Sequence, residues 1–424
     1  MKNVPFKRFL VNRNGGMWGS EPGSDESDVL CIRVADFDYE NLKTKASAST
    51  VRSITEKQIQ KNQLHDGDIL LEKSGGGEKT PVGRAVYYSG NDDAICSNFI
   101  ERLTVNQQTL NPKFACYILS AAYSQRKNLD CIKQTTGIQN LSVDDYLSSV
   151  TVPLFDIETQ KRITKWLDKQ LSKVAQVITA KQAQLQKLSS YRQSLITCAV
   201  TKGLDPNVEM KASGVQWIGN MPSHWRICRV KNLFSVVCGA TPSPNPQYWN
   251  GNINWIGPSD MDEIGDVSSG KRSITREGYE SCGTTLVPQG SLVLSTRAPV
   301  GKVNIAKGEL CTNQGCKSLV PLGSKNYTKY YYFVLQAAKD QLIQDSSGTT
   351  FLELSTSALS DELLPLPSLD EQKRIVSFLE KIDEMVLELK VKLSDSIRLL
   401  NEYRSSLISA AVTGQLAIDE EASA

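Results

Sequence analysis

The sequence predicts an α+β chain: two mixed α/β domains, related by a pseudo-twofold axis, joined by two long helices that form an antiparallel coiled coil. Three observations lead to this prediction. Residues 154–204 return without a gap at 366–416, both copies carry a helical heptad pattern, and short strand-like runs precede each copy. The offset of 212 residues far exceeds the roughly 20 to 50 residues of a solenoid unit. The repeat therefore indicates a duplicated domain.

The duplicated segments agree closely at both ends. Gln160-Lys-Arg162-Ile returns as Gln372-Lys-Arg374-Ile, Tyr191-Arg192 returns as Tyr403-Arg404, and each copy closes with Ala-Val-Thr. Upstream, insertions shift the match, so that Gly67–Leu71 corresponds to Gly290–Leu294 and Pro81–Ala85 to Pro299–Val303. The expected order is a first domain at 1–155, a first helix at 156–204, a linker at 205–224, a second domain at 225–365 and a second helix at 366–418.

Each repeated segment has the sequence of a long coiled-coil helix, because apolar residues recur with alternating spacings of three and four. The core positions are Leu167, Leu171, Val174, Ile178, Leu185, Leu188, Leu195 and Ala199 in the first copy, with Lys181 and Arg192 as polar interruptions, and Leu379, Val386, Leu393, Ile397, Leu400, Leu407 and Ala411 in the second. Gly203 and Gly414 are placed to end the helices. About forty residues would make a rod of roughly 60 Å. Two unrelated amphipathic helices remain the alternative.

Charge favours an antiparallel pair. The first helix is strongly basic, with Asp168 as its acid between 160 and 203, whereas the second concentrates acids in its first half. Antiparallel pairing would set those acids, among them Glu380 and Asp383, near Lys181 and Lys187. The basic face could also meet nucleic acid or simply be solvated. Candidates for helix-pair or partner-subunit contacts are Gln160, Arg162, Tyr191, Arg192, Gln372, Arg374, Tyr403 and Arg404.

The two segments that precede the repeated helices have the pattern of short strands separated by turns. Short apolar runs such as 69–71, 85–88, 292–294 and 303–305 lie between Gly-, Pro- and Ser-rich stretches. A helical stretch closes each segment, at 112–123 and at 329–342. The linker, with two prolines and two glycines, is expected to be an extended connection.

Composition limits the class of protein. With 424 residues, 40% hydrophobic and 22% charged, the chain can bury two cores and carries no disorder signature. The start lacks the apolar region of a signal peptide, and no stretch approaches 18 apolar residues. We therefore expect a cytoplasmic protein without a membrane span. Ten cysteines without a Cys-x-x-Cys pair, and only two histidines, predict reduced thiols and no metal site.

Several loops suit contacts with nucleic acid. A net charge of +2 argues against an indiscriminate DNA coat, but clustered bases still allow a specific reader. Loops at 73–80, 133–140, 295–297, 312–317 and 347–350 mix small residues with side chains that bind bases and phosphates, although ordinary surface turns have the same composition. The candidate DNA-binding residues are Lys73, Lys79, Arg84, Asn98, Lys133, Gln134, Thr135, Thr136, Thr241, Ser243, Arg297, Lys302, Asn313, Gln314, Thr349 and Thr350.

The sequence does not fit the common enzyme motifs. Neither Gly75–Thr80 nor Gly301–Val303 has the spacing of a phosphate-binding loop. Asn245-Pro-Gln-Tyr248 lacks the second proline of the Asn-Pro-Pro-Tyr signature of amino-methyltransferases, and no Gly-rich nucleotide-binding turn precedes it. Gly-x-Ser-x-Gly and His-Glu-x-x-His are absent. The sequence therefore predicts a protein with no catalytic residues of its own.

The chain resembles the specificity subunit of type I restriction-modification systems over nearly its whole length. The doubled motifs that carry this resemblance are Pro365–Ile375 with its twin around Gln160, and Tyr191–Ile196 with Tyr403–Ile408. Further matching motifs are Ser213–Gly219, Pro222–Trp225, Thr241–Ser243 and Tyr248–Ile256. The segment from Phe6 to Trp18 lacks a Thr-Pro-Ser loop, so contacts of the second domain cannot be transferred to the first.

The resemblance implies a non-catalytic DNA reader. Each domain would be a target recognition domain for half of a split double-stranded DNA sequence, and the paired helices would set the distance between the halves. The implied partners are two methyltransferase subunits, which use S-adenosylmethionine to methylate adenine, and restriction subunits, which use ATP and magnesium. Two alternatives stay open: the specificity portion of a combined restriction-methylation enzyme, and a structural scaffold without a DNA role.

Overall fold

The computed structural model describes residues 3–24, 27–90, 94–135, 137–323, 326–348 and 352–418. They form two compact units. Unit 1 contains the residues up to Ala183 together with those from Leu393 onward, and unit 2 runs from Gln184 to Lys392. Each unit therefore consists of one α/β domain and part of each long helix, so the units differ from the consecutive segments expected from the sequence.

Unit 1 contains fourteen described strands and three short helices, and the first long helix begins in it. The strands are β1 (Asn3–Pro5), β2 (Leu10–Gly15), β3 (Ser27–Ile32), β4 (Phe37–Asp38), β5 (Lys43–Thr44), β6 (Val51–Ile54), β7 (Ile69–Glu72), β8 (Ser74–Gly75), β9 (Ala85–Tyr87), β10 (Ala94–Cys96), β11 (Ile100–Val105), β12 (Ile132–Thr135), β13 (Ile138–Leu141) and β14 (Thr151–Pro153). The helices are α1 (Glu56–Asn62), α2 (Pro112–Ser124), α3 (Val143–Ser149) and the long α4 (Ile157–Lys202).

Unit 2 follows the same plan. Its strands are β15 (Met210–Ala212), β16 (Asn220–Pro222), β17 (Arg226–Arg229), β18 (Phe234–Cys238), β19 (Trp249–Ile256), β20 (Asp266–Val267), β21 (Arg272–Ile274), β22 (Leu292–Ser295), β23 (Val303–Ala306), β24 (Cys311–Thr312), β25 (Cys316–Pro321) and β26 (Leu363–Leu366). Its helices are α5 (Val230–Leu233), α6 (Arg276–Glu280), α7 (Thr328–Ala337), α8 (Lys339–Gln344), α9 (Thr356–Asp361) and the long α10 (Leu369–Val412).

The large sheets of the two units share a topology of five strands, to which unit 1 adds the edge strand β4. In unit 1 the large sheet has the order β2-β11-β7-β9-β5-β4, and in unit 2 the order is β18-β25-β22-β23-β20. The smaller sheets also correspond, because β10-β3-β6 and β24-β19-β21 each contain one parallel and one antiparallel pair. The pair β1-β14 matches β17-β26. The predicted domain duplication is therefore confirmed at the level of the fold, including the strands and helices expected from the apolar runs.

The long helices contribute to both cores. In unit 1, Ile163 and Leu167 of α4 share a core with Leu407 and Ala411 of α10. In unit 2, Ile196 and Ala199 of α4 share a core with Ile375 and Leu379 of α10. The start of each helix thus packs with the end of the other, which is the order of an antiparallel pair. At 46 residues, α4 is about 69 Å long.

The predicted heptad positions face inward. Leu167, Leu171, Val174 and Ile178 are all buried in unit 1, and the predicted core positions of α10 are buried or half-buried. Both helices end where the glycines were expected to end them, since Gly203 and Gly414 have φ values of 73° and 75°. The heptad interpretation is therefore preferred over two unrelated amphipathic helices.

Among the described residues, the acids of α10 do not pair with Lys181 and Lys187, as the sequence had predicted they would. In unit 2, Asp383 pairs with Arg192 at 2.7 Å, whereas Glu380 pairs with Lys329 of the domain. The reason is local: Arg192 is a polar heptad position that meets α10 directly, while Lys187 lies on the exposed side of α4. Glu380 has an equivalent in unit 1, where Asp168 pairs with Lys113 at 2.6 Å.

The linker at 205–224 is not merely extended. Its strands β15 and β16 form a short antiparallel hairpin. Ile218 and Met221 are buried in the main core of unit 2, and His224 lies 2.9 Å from the Glu371 carboxylate at the start of α10. The apolar residues between the linker glycines and prolines therefore bind this segment to unit 2.

A buried carboxyl group in unit 2 is expected to make stability depend on pH. Burial, with the neighbouring Asp345, raises the pKa of Glu362 to about 7 from its usual 4.5. The folded state then binds a proton more tightly than the unfolded state, so stability should fall as pH rises between about 4.5 and 7 and stay lower above that range. Replacing Glu362 with glutamine should remove this slope and raise stability at pH 8 by about 1 to 3 kcal/mol.

Urea unfolding of the wild type and Glu362→Gln at pH 5.5 and pH 8 measures this effect. The exposed Glu277 of α6 provides a control, because Glu277→Gln should leave the pH slope unchanged. An identical slope in the wild type and Glu362→Gln would contradict the assignment.

Candidate nucleic-acid interface

Three strands of the large sheet in unit 1 meet at one edge. Ile100 pairs with Glu72 and Glu101 pairs with Gly15, so the ends of β2 and β7 lie beside the start of β11. The turns at this edge are held by the main chain: the Phe99 carbonyl accepts hydrogen bonds from the Lys73 and Ser74 amides at 2.9 and 3.2 Å. The predicted loops at 73–80 and 133–140 are also joined, because β8 pairs with β13. We call residues 15–17, 72–80, 97–100, 132–135 and 137–141 loop set 1.

Unit 2 builds the same arrangement from a different sequence. The Gly315 carbonyl accepts from the Thr296 and Arg297 amides at 2.8 and 3.2 Å, as the Phe99 carbonyl does in unit 1. The Leu354 amide donates to Thr296, just as the Leu141 amide donates to Lys73. We call residues 239–243, 295–299, 312–317, 347–348 and 352–354 loop set 2. The structure thus brings the described parts of the predicted loops together at one sheet edge in each domain.

Close backbone approach explains a glycine at the first turn of each loop set. A Cβ atom on Gly16 would lie 2.2 Å from the Ser97 carbonyl oxygen, and one on Gly239 would lie 2.1 Å from that of Asn313. Any side chain would push these turns apart. The equivalent glycines therefore fix the loop framework, while the residues around them differ between the units.

Three of the cationic candidates are bound by other groups of the protein. Lys73 contacts the Glu101 carboxylate at 2.9 Å, and Arg84 contacts Glu72 at 3.0 Å, where burial raises the pKa of the Glu72 carboxyl. The Lys302 ammonium donates to the Met261 carbonyl at 2.7 Å. These groups hold strands and turns together: carboxylates compensate the charges of Lys73 and Arg84, and main-chain carbonyls bind the Lys302 ammonium.

Other candidates are available to a ligand. The exposed candidates in the two loop sets are Lys79, Asn98, Lys133, Gln134, Thr241, Ser243 and Gln314. Asn313 and Arg297 are half-buried, and Arg297 contacts Glu353 at 3.0 Å. The Thr241 hydroxyl donates to the Gln314 side chain. Thr135 lies at the end of β12, whereas Thr136, Thr349 and Thr350 lie outside the described residues.

Sequence reasoning missed apolar side chains in the same loops. Phe99, Ile138 and Leu352 are 41%, 49% and 43% exposed. Phe99 occupies the position of Gly315 in unit 2, and its ring lies close to Gly75. The available signal was an isolated large apolar residue within a polar turn, a pattern that only the converging loops make informative.

The repeated glutamines, proposed as partner contacts, are instead engaged inside their own units. Gln160 is 1% exposed, accepts from the Asn111 amide at 2.8 Å and donates to the Thr109 and Phe155 carbonyls. Gln372 is fully buried and accepts from the Tyr327 amide at 2.9 Å. Each glutamine ties the start of a long helix to the turn before α2 or α7, which explains its repetition.

The remaining helix candidates divide between the interior and the surface. Arg192 is 5% exposed and makes two hydrogen bonds to Asp383, whereas Arg404 donates to the Tyr39 and Glu40 carbonyls. Tyr191 and Tyr403 are 56% and 55% exposed. Arg374 is exposed and Arg162 is half-buried. The two tyrosines thus present equivalent surfaces at equivalent positions.

The described part of the chain contains no group of three or more His, Cys, Asp or Glu side chains placed to hold a metal ion. Within the same residues, no helix has the length and apolar character needed to cross a membrane. The Cys311 and Cys316 thiols are buried, and burial raises the pKa of Cys311 to about 11. Neither thiol is therefore poised as a nucleophile.

The chain thus contains two copies of one α/β domain, each with a loop set at one sheet edge and each followed by a long helix. The model of the type I restriction modification DNA specificity domain matches residues 32–187 and 222–399, and the chain belongs to this family.

Its relatives are other specificity subunits. The chain is 36% identical over 173 residues to the MjaIX specificity subunit of Methanocaldococcus jannaschii, an alignment that covers 40% of each protein. Identity to the putative MjaX subunit of the same organism is 24% over 372 residues, covering 87% of this chain and 83% of the relative. The EcoR124I/EcoR124II subunit of Escherichia coli is 29% identical over 40% of this chain and 45% of its own length.

Solved structures share the fold. A chain from a study of complex assembly and conformational transition in a type I restriction-modification system has a TM-score of 0.71 at 16% identity, with 98% of both chains covered. The HsdS subunit of Thermoanaerobacter tengcongensis has a TM-score of 0.52 at 17% identity and covers 98% of this chain and 97% of its own. At these identities the likeness concerns the fold alone.

Proposed function

We propose that this chain is a non-catalytic subunit that reads a bipartite double-stranded DNA target and directs methyltransferase and restriction subunits to it. Loop set 1 would read one half-site and loop set 2 the other. The observation that carries the proposal is the repeated main-chain framework around Phe99 and Gly315, which holds different exposed side chains in the two units. A main-chain framework that is the same in both units, with different polar side chains on its loops, suits two domains that each recognise their own base sequence.

The long helices would serve the partners. We propose that two methyltransferase subunits, which hold S-adenosylmethionine, dock on them, and that restriction subunits using ATP and magnesium join the complex. Exposed large side chains on α4 and α10 support such docking, since apolar surface of this kind marks interaction sites. They are Val177, Tyr191, Phe378, Met385, Leu387, Leu389, Val391, Leu399 and Tyr403.

Domain exchange combined with methylation mapping tests the proposal. A complex containing this chain should methylate adenines in one split sequence, and exchanging residues 1–150 for those of a relative should change one half-site only. Simultaneous loss of both half-sites in a folded protein would contradict independent readers. Methyl transfer by the chain alone would contradict a non-catalytic subunit, and equal affinity for all duplexes would contradict specific recognition.

A point substitution in loop set 1 should act on one half-site. Because Phe99 is exposed beside the polar loops, we expect it to make an apolar contact with a base, such as a thymine methyl group. Phe99→Ala should weaken binding to the complete target by about 1 kcal/mol, roughly fivefold in Kd. Duplexes in which the first half-site is scrambled should bind both proteins equally.

Binding by the assembled complex, measured by fluorescence anisotropy, gives these affinities. Val11→Ala is the control, because Val11 is 68% exposed on β2 outside loop set 1. A uniform loss on every duplex, random sequences included, would place Phe99 outside base recognition.

A further inference from the structure

Because the chain is duplicated, the surroundings of one repeated arginine can be compared between the two units. Arg192 in unit 2 and Arg404 in unit 1 occupy equivalent positions of the duplicated helices. Arg192 contacts the Asp383 carboxylate at 2.7 and 2.9 Å and the Gln336 side-chain oxygen at 3.2 Å. This guanidinium thus has a carboxylate and an amide as its acceptors.

Unit 1 replaces both acceptors. By the offset of the helix repeat, Leu171 stands where Asp383 would be. By the equivalence of Asn111 and Tyr327, which bind the repeated glutamines, Ser120 stands where Gln336 would be. Arg404 instead donates from Nη2 to the Tyr39 and Glu40 carbonyls. Among the described residues, no carboxylate lies within ion-pairing distance of Arg404.

A cavity of about 190 Å³ lies at this place in unit 1. Its polar lining includes Tyr39, Arg84, Ser120, Asn401, Arg404 and Ser405. The charge of Arg84 is paired with Glu72 at 3.0 Å, whereas the Arg404 guanidinium has no ion-pair partner among the described residues. Burial lowers the pKa of Arg404, an effect that the Glu40 and Asp38 carboxylates oppose from a longer distance and that a bound anion would oppose further.

Tyr39 also lines the cavity. Its hydroxyl is buried and has no hydrogen-bond partner among the described residues. Burial raises the pKa of Tyr39, so the hydroxyl keeps its proton and can donate. The Arg84 guanidinium lies 3.8 Å from the centre of the Tyr39 ring and holds it in place. A buried donor without an acceptor requires an explanation beyond packing.

We propose that this cavity, the Arg404 site, binds a small oxyanion, a carboxylate or phosphate group, which gives Arg404 the acceptor that Asp383 gives Arg192. The anion could be free in solution or could belong to the side chain of a bound protein, since the chemistry of recognition is the same. The proposal does not depend on DNA binding by the loop sets.

Anion titrations of the full-length chain test the site. Sodium phosphate and sodium acetate are compared with sodium chloride at equal ionic strength, by calorimetry and by thermal unfolding. We expect saturable binding and a raised Tm with phosphate or acetate only. Tyr39→Phe should raise the Kd several-fold, and Arg404→Gln should abolish the response. Arg192→Gln, the matched control in unit 2, should retain it.

An internal carboxylate offers a complementary variant. Leu171→Asp copies the arrangement of unit 2 and should remove the anion response while the chain stays folded. If this variant does not fold, Tyr39→Phe and Arg404→Gln still decide the question. Phosphate and acetate acting no differently from chloride, or a full response in Arg404→Gln, would overturn the proposal.

The source of the anion is resolved by repeating the titration on the assembled complex. Loss of the phosphate response on assembly, with Arg404 intact, would identify a partner's carboxylate as the occupant. Retention of the response would identify a free anion. Either result supports the Arg404 site and assigns its natural ligand.

Discussion

Replacing Asp383 with alanine is expected to destabilise unit 2 by about 3 kcal/mol. The substitution leaves the Arg192 guanidinium, whose side chain is 6% exposed, without its charged partner. The cost lies at the lower end of the range for broken buried pairs, because the Asp383 side chain is 30% exposed and Gln336 still accepts one hydrogen bond. Urea unfolding, followed by circular dichroism, measures the loss.

A double variant separates the pair's charge from its packing. Arg192→Met combined with Asp383→Leu removes both charges, and we expect it to recover most of the stability, since apolar replacements of buried pairs are often neutral. Asp395→Ala is the control, because Asp395 lies on the same helix with its side chain 57% exposed, paired to Arg398. Equal effects of Asp383→Ala and Asp395→Ala would show that the Arg192 pair contributes little.

Lengthening both long helices by four residues is expected to widen the spacer between the DNA half-sites by one or two base pairs. This expectation rests on the proposed function. Four residues add about 6 Å to a helix, and successive base pairs are about 3.4 Å apart. The insertions belong after Ala183 in α4 and after Lys392 in α10, because these positions keep the antiparallel partners Arg192 and Asp383 in register.

Methylation mapping reads the spacer directly. The half-site sequences should stay unchanged, because neither loop set is altered. A four-residue insertion after the exposed Asn207 in the linker is the control and should leave the spacer as it was. An unaltered spacer in the helix variant, with both half-sites still methylated, would show that the distance is set elsewhere.

Local sequence patterns predicted most of the fold. The heptads, the glycines that end α4 and α10 and the strand runs depend on spacings within a few residues, so they are visible without tertiary contacts. The linker hairpin was missed because its order comes from Ile218 and Met221 packing into the core of unit 2. Its glycines and prolines, taken alone, indicate an open connection.

The candidate site was predicted in outline only. Composition identified the loops, but Lys73 and Lys79 are alike in sequence, and the fold alone pairs Lys73 with Glu101 while it leaves Lys79 exposed. Phe99 could be assigned to the candidate site only from the structure, in which its turn lies beside β8. Which cations are compensated depends on partners tens of residues away, and no local pattern encodes them.

The sequence by itself determined that this chain is a duplicated protein with two variable domains and two matched helices, because duplication and periodicity can be seen in the order of the residues. Only the tertiary structure decided what the repeated residues do. Gln160 and Gln372 keep one role, since both meet a backbone amide at the same turn. Arg192 and Arg404 diverge, because one contacts the Asp383 carboxylate and the other donates to the Tyr39 and Glu40 carbonyls and lines a cavity. Identical residues acquire different functions when non-local packing gives them different neighbours.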